Sequence, residues 1–250
     1  IEVVVNRNIN VLVNEAEKRK NGDIRDDIKL SVPFYDSTCD ADRVFVHLVI
    51  NTDGVSLVKS KNTSLYPVWM AIADLPPYLR ISYENIVLAS LWFGVGKPDW
   101  DVVFKRVVEE ISTAAGVTIF VDGQPRKLVI TPVLLVVDLV AKASVLNMKQ
   151  YNGMYGCSLC HDPGQVTEGA RSRHYPTTTL IEMRTASSYE ENLWFCLHKD
   201  PNLSKVKGVK GPAEISNVMA HIPLTAPIDH MHAVLIGVGK SLLSMFDSAF

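Results

Sequence analysis

The chain opens without a basic stretch followed by an apolar one, so nothing at its start reads as a secretory signal. Its long apolar run ending at Asp138 is too short and too interrupted to span a bilayer, which gives an expectation of no membrane partner. No excess of positive charge is present: 25 Lys and Arg stand against 27 Asp and Glu, a net charge of −2. A stand-alone DNA-binding chain is usually basic. Cysteine is scarce, with four in 250 residues, and only Cys157 and Cys160 lie close together. We therefore expect a soluble intracellular protein with reduced cysteines rather than a disulfide framework. No internal repeat is visible. The chain begins at Ile1 without a methionine and ends inside an apolar helical pattern, so we read it as a piece of a longer protein.

What is present begins with two acids. Val44 to Thr52 is a β-branched, apolar run that stops at Asp53-Gly54, and Leu128 to Val137 stops in the same way at Asp138. The two acids are 85 positions apart. A carboxylate costs several kcal/mol to bury unpaired, so an acid closing an apolar strand calls for solvent, a partner or a metal. Two such ends brought together would form a divalent-metal site for phosphoryl transfer. The alternative is a pair of strand-end turn residues, since Asp-Gly is a common turn pair.

Residues 1–42 are mixed, with a charge run from Asn14 to Lys29 that reads as a solvated helix face or loop, and the segment suits a preceding module. From Arg43 the pattern turns to β. Pro67 makes the segment Leu65–Ala73 an edge strand at best. Glu84–Gly94 is nearly all apolar and reads as a buried strand, which completes a three-stranded antiparallel meander. Asp99 caps a helix in which Trp100, Val103, Phe104, Val107, Val108 and Ile111 recur at helical spacing. A strand at Val117–Val121, a turn at Asp122-Gly123, the long strand to Asp138 and a helix over Leu139–Lys149 follow. Strand, strand, strand, helix, strand, helix is the order of a ribonuclease H-like α/β core. Residues 43–150 would form that core. Residues 151–227 are loop-rich, an insertion or a metal-stapled segment. Residues 228–250 would open a helical insertion.

Three smaller features carry chemistry. Cys157-Ser158-Leu159-Cys160 has the spacing of a zinc knuckle; a redox pair or two buried thiols are the alternatives. Two cysteines are half of a structural zinc site. His161 is too close to complete it, and His174 is the nearby alternative. In Asp229-His230-Met231-His232 an acid and a histidine three apart share one helix face, where they would bind metal, orient water, contact a phosphate or simply cap the helix. Lys59 and Lys61, shortly after the first acid, are candidates for phosphate contact or for a solvated turn. His47 alternates with apolar residues and reads as structural.

Taken in order, several of these segments resemble the CACTA-type (En/Spm-like) cut-and-paste DNA transposases. They are Ile50–Gly54, Lys59–Pro67, Leu75–Arg80, Leu91–Gly94, Val137-Asp138, Lys149–Cys160, Lys207–Gly211 and Ile228–Val238. The likeness covers roughly residues 43 to 246. It implies a ribonuclease H-like catalytic core with an Asp, Asp, Glu triad, Asp53 fitting the first acid and Asp138 the second, with two Mg²⁺ or Mn²⁺ ions between them. By likeness to the related catalytic subunit of the V(D)J recombinase, Cys157 and Cys160 would be half of a structural Zn²⁺ site whose other ligands lie beyond Phe250. His232 would lie near the active site. The expected Glu has no counterpart before the chain stops, so the fragment alone is not expected to cut DNA. The resemblance implies a nuclear protein acting on transposon ends and target DNA, with a homo-oligomeric parent. The alternative is a domesticated or decayed transposase kept as a DNA- or protein-binding module.

Overall fold

The computed structural model describes residues 1–21, 42–58, 63–166, 169, 173–176, 181–198 and 206–247. These form two compact units, one of Ile1–Leu135 with Asn217–Ala220, the other of Val136–Ser216 with His221–Phe250. Residues 136–150, read from the sequence with the core, thus pack with the cysteine segment.

The first unit is a mixed α/β layer. Helices α1 (Glu2–Arg7) and α2 (Ile9–Lys20) precede strands β1 (Arg43–Thr52), β2 (Val55–Val58) and β3 (Thr63–Ile72). A single turn α3 (Pro77–Arg80), strand β4 (Val87–Val95) and helix α4 (Trp100–Ala114) come next. The hairpin of β5 (Thr118–Val121) and β6 (Gln124–Val137) completes a six-stranded sheet. The order is β2-β3-β1-β6-β5, with β4 also paired to β3.

Alternation sets the core. Val44, Val46, Leu48 and Ile50 of β1 and Val68, Met70 and Ile72 of β3 are buried, because successive side chains of a strand point to opposite faces. Helix α4 brings Val103, Phe104, Val107 and Ile111 to the core. Asp99 starts it as expected, its Oδ1 accepting from the N–H groups of Asp101 and Val102. A row of edge-to-face rings ties α4 to the sheet: Tyr66 lies 5.8 Å from Trp92 and 5.6 Å from Trp100.

The sheet departs from the sequence reading in three places. Strand β3 is no edge strand: it pairs with β1, β2 and β4. Proline is tolerated because β1 stops opposite Val68 and β2 begins opposite Leu65, so Pro67 faces a gap where no N–H is required. Strand β4, read as buried, leaves Leu88, Leu91, Phe93 and Val95 exposed on one face, since its one partner among the described strands is β3. An apolar run without alternation does not reveal which face stays open. Helix α2 is more than a solvated charge run: Arg19 is buried, donates to the Asp74 carbonyl at 2.6 Å and pairs with its carboxylate at 3.6 Å. His47 joins this buried cluster, its Nδ1 lying 3.0 Å from Asp74 Oδ1. The N-terminal helices therefore belong to the first unit.

In the second unit, helix α5 (Leu139–Val145) is shorter than expected. The stretch read as loop-rich holds a two-residue ribbon, β7 (Gln165–Val166) with β8 (Arg173–His174), and helix α6 (Ala186–His198). Tyr189, Val209, Ala213 and Ile215 are buried among its residues. The last helix winds as a π-helix over Met231–Gly239 and continues as α7 (Lys240–Asp247). No helix among the described residues is long and apolar enough to cross a membrane.

Candidate functional site

Asp53 does not sit at a chain reversal. β1 and β2 both run antiparallel to β3, with Thr52 opposite Val68 and Val55 opposite Leu65. Asp53-Gly54 is therefore a break between two strands of one direction, facing Tyr66-Pro67. A Cβ on Gly54 would lie 2.4 Å from the Tyr66 ring, so only glycine fits between Asp53 and the aromatic row. The Asp53 carboxylate is exposed, and its Oδ1 accepts the Gly54 N–H at 2.7 Å.

Within the first unit β1 and β6 are neighbours and start together: the Lys127 N–H donates to the Asp42 carbonyl at 2.7 Å. Opposed strands meeting at that point would overlap over only their first few residues, so the two run the same way. The buried alternation of β6 changes phase where Pro132 and Val133 are both buried, the mark of one inserted residue at a position that cannot donate. Beyond it, Ile50 and Leu135 stand eight residues past Asp42 and Lys127, and both are fully buried.

Asp138 belongs to the second unit. It caps α5, Oδ1 accepting from the Ala141 N–H at 2.5 Å. One turn later, Lys142 is 2% exposed and its Nζ has no hydrogen-bond partner among the described residues. Burial pushes its amine from 10.5 down to about 8, against the opposing pull of Cys157.

Cys157 and Cys160 are both free thiols. The Leu159 N–H donates to Cys157 Sγ at 3.4 Å. An N–H donor on the first sulfur suits a thiolate that ligates a metal. Burial nevertheless pushes the Cys160 thiol up, with the Asp162 N–H pulling the other way. The turn needs its glycine, for a Cβ on Gly156 would fall 2.0 Å from the Gln150 carbonyl oxygen. The Tyr175 hydroxyl braces the same loop, donating to the Gly153 carbonyl and accepting the Gly156 N–H.

Around the cysteines the chain forms a short ladder. Cys160 pairs with Met183, the His161 N–H donates to the Glu182 carbonyl, and the Arg184 N–H donates to the Leu159 carbonyl. His161 turns away from metal duty, its Nε2 3.2 Å from Ser188 Oγ on α6. Among the described residues no three His, Cys, Asp or Glu side chains gather to hold an ion, so His174 does not complete the thiol pair and no third acid joins either aspartate. The chemistry of Cys157 and Cys160 fits two of the four ligands of a structural zinc site.

The Asp229–His232 pair is formed: Asp229 Oδ2 lies 2.5 Å from His232 Nδ1 and Oδ1 accepts the Met231 N–H. Burial alone would raise the Asp229 carboxyl. The His232 ring and the N–H groups of Met231 and His232 outweigh it and hold the carboxyl below its usual range. Such a pairing places the ring proton on Nδ1 and makes Nε2 the basic nitrogen. A cleft of about 340 Å³ joins these features within the unit: Leu139, Lys142, Cys157, Cys160 and Ile228 all line it.

In the second unit the sequence reading missed two buried cations, Lys142 and Arg184. Lys142 leaves a faint trace, a lone cation in an otherwise apolar helix; Arg184 leaves none. Of the local basic residues, Arg173 braces the ribbon loop through the Pro163 and Gly164 carbonyls. Lys59, Lys61, Arg171, Lys199 and Lys205, together with Cys39, lie outside the described residues. The chain matches no family model and no curated protein.

Proposed function

We propose that this chain is the larger part of the catalytic domain of a cut-and-paste DNA transposase, built on a ribonuclease H-like core. One observation carries the reading: β1 and β6 are adjacent, co-directional strands that start together, and each is followed by an aspartate. Asp53 and Asp138 come three residues after Ile50 and Leu135 respectively. On this reading Asp53 and Asp138 are the first two acids of the triad, with a third acid supplied by the parent protein.

Two divalent cations of the Mg²⁺ or Mn²⁺ type, held by Asp53 and Asp138, would supply charge stabilisation for the attacking and leaving oxygens of a phosphodiester. Asp53 offers hard oxygen donors at an exposed break in the sheet, which suits a cation that keeps several waters. Asp138 offers a carboxylate at the start of α5. His232, with its proton on Nδ1, presents Nε2 to accept a proton or a hydrogen bond near the reacting phosphate. Cys157 and Cys160 hold the structural zinc, with two further ligands from outside this chain. DNA ends and target are the substrates, and the nucleus of the host is where the parent would act, as a homo-oligomer.

Calorimetry of Mn²⁺ binding to the wild type and to the double variant Asp53→Ala, Asp138→Ala tests the acids. The double variant is expected to lose binding while keeping its circular dichroism; equal binding sinks the proposal. Reading the parent past Phe250 for a helical Glu and two closely spaced histidines separates an enzyme from a relic.

A further inference from the structure

Arg184 is one of the largest fully buried side chains, 2% exposed, and it forms no ion pair among the described residues. Its hydrogen-bond partners are backbone carbonyls instead. Nε donates to the Cys157 carbonyl at 2.9 Å, and Nη2 donates to the Tyr155 carbonyl at 3.1 Å and the Lys207 carbonyl at 2.7 Å. Nη1 has no partner. A buried guanidinium without a carboxylate is costly, and three carbonyls recover only part of its hydration.

We infer that Arg184 is the positioning residue of the thiol pair, its fork fixing the backbone on both sides of the Tyr155–Cys157 turn so that both sulfurs meet one soft centre. The inference rests on the metal-knuckle reading for the identity of that centre in the cell. The geometry needs only a centre that takes two thiolates. The planar fork is the point: it bonds three carbonyls from two directions, which a lysine ammonium cannot reproduce. The main-chain bond from Arg184 to Leu159 carries the same residue into the ladder on the other side of the turn, so side chain and backbone together clasp the loop.

Phenylarsine oxide tests this without the absent zinc ligands. Two thiols add to one arsenic: two As–S bonds form, the arsenic–oxygen bond breaks, and the two thiol protons leave in one water. The reduced full chain is expected to form a one-to-one adduct that resists a monothiol and is reversed by a dithiol. A Cys160→Ser control should not form it. Arg184→Met is expected to weaken adduct formation tenfold or more, and Arg184→Lys to recover only part, in line with about 10–100-fold effects of residues that orient metal ligands. Wild-type binding by both variants, with native circular dichroism, overturns the inference. Should neither variant fold, hydrogen exchange on the wild type decides. The Leu159 and Asp162 N–H groups and Arg184 Nε–H should exchange more slowly once the sulfurs become anionic ligands; unchanged exchange overturns the role. A wild type that takes the arsenical but holds no zinc when the longer parent is purified removes the zinc reading and leaves the positioning role intact. Zinc held equally by parent and Arg184 variants removes the role alone.

Discussion

Replacing Lys142 by methionine should stabilise the protein. The ammonium is buried with no partner on Nζ among the described residues, and methionine keeps nearly the same length and volume without the charge. Burial lowers the amine from 10.5 to about 8, which corresponds to about 3 kcal/mol of penalty in the charged form. The sign follows from proton binding. Between pH 8 and 10.5 the unfolded chain holds the proton more tightly than the folded one, so stability rises with pH across that window. Below pH 8 the full penalty is present; above 10.5 it is gone. Urea unfolding followed by tryptophan fluorescence, in EDTA and reductant, at steps from pH 7 to 10.5, measures this. Tyr189, pushed up to about 12 mainly by burial, acts in the opposite sense above pH 10. The quantity to follow is therefore the difference between variant and wild type. That difference should be about 2–3 kcal/mol in favour of Lys142→Met at pH 7 and shrink towards zero by pH 10.5. A less stable variant at pH 7, or a difference constant over the window, refutes the reasoning and means that Nζ has a strong partner in solution.

Two further tests probe other parts of the molecule. Gly54→Ala should cost about 1–3 kcal/mol by overpacking, because the new Cβ meets a Tyr66 ring already held by Trp92 and Trp100; thermal unfolding measures it, and a neutral result would show the ring free to move. Nitrogen NMR of His232 should report the Nδ1-protonated tautomer at neutral pH, and Asp229→Asn should shift the population towards the other tautomer. Stability drawn from this pair should be present above the ordinary aspartate range, about pH 4, and fade as the solution is acidified through the lowered Asp229 value.

The parts of the fold set by repetition were legible from the chain. β1, β6 and α4 were visible because each buries one face at its own period, and Asp99 marked the helix start by its own chemistry. Pro67 misled because its tolerance depends on where two other strands begin and end, which no local pattern carries. Helix α6 was missed because Ser187-Ser188-Tyr189-Glu190-Glu191-Asn192 mixes polar and apolar residues on every side; it is helical because Tyr189 and Asn192 are buried. For the site, the cysteine spacing and the acid–histidine spacing were readable, since each pair closes within a few residues. The clasp by Arg184 and the bare ammonium of Lys142 arise from long-range packing, where a single letter of sequence carries no signal.

The gap between β1 and β2 has a consequence for the history of such a chain. The acid there hangs outward from a ladder secured on both flanks by β3, and the space beside it is taken by a glycine and an aromatic ring. Loss of that one carboxylate would silence any chemistry while costing the sheet almost nothing. Variants that lack that acid should therefore remain well folded, free to take up other work.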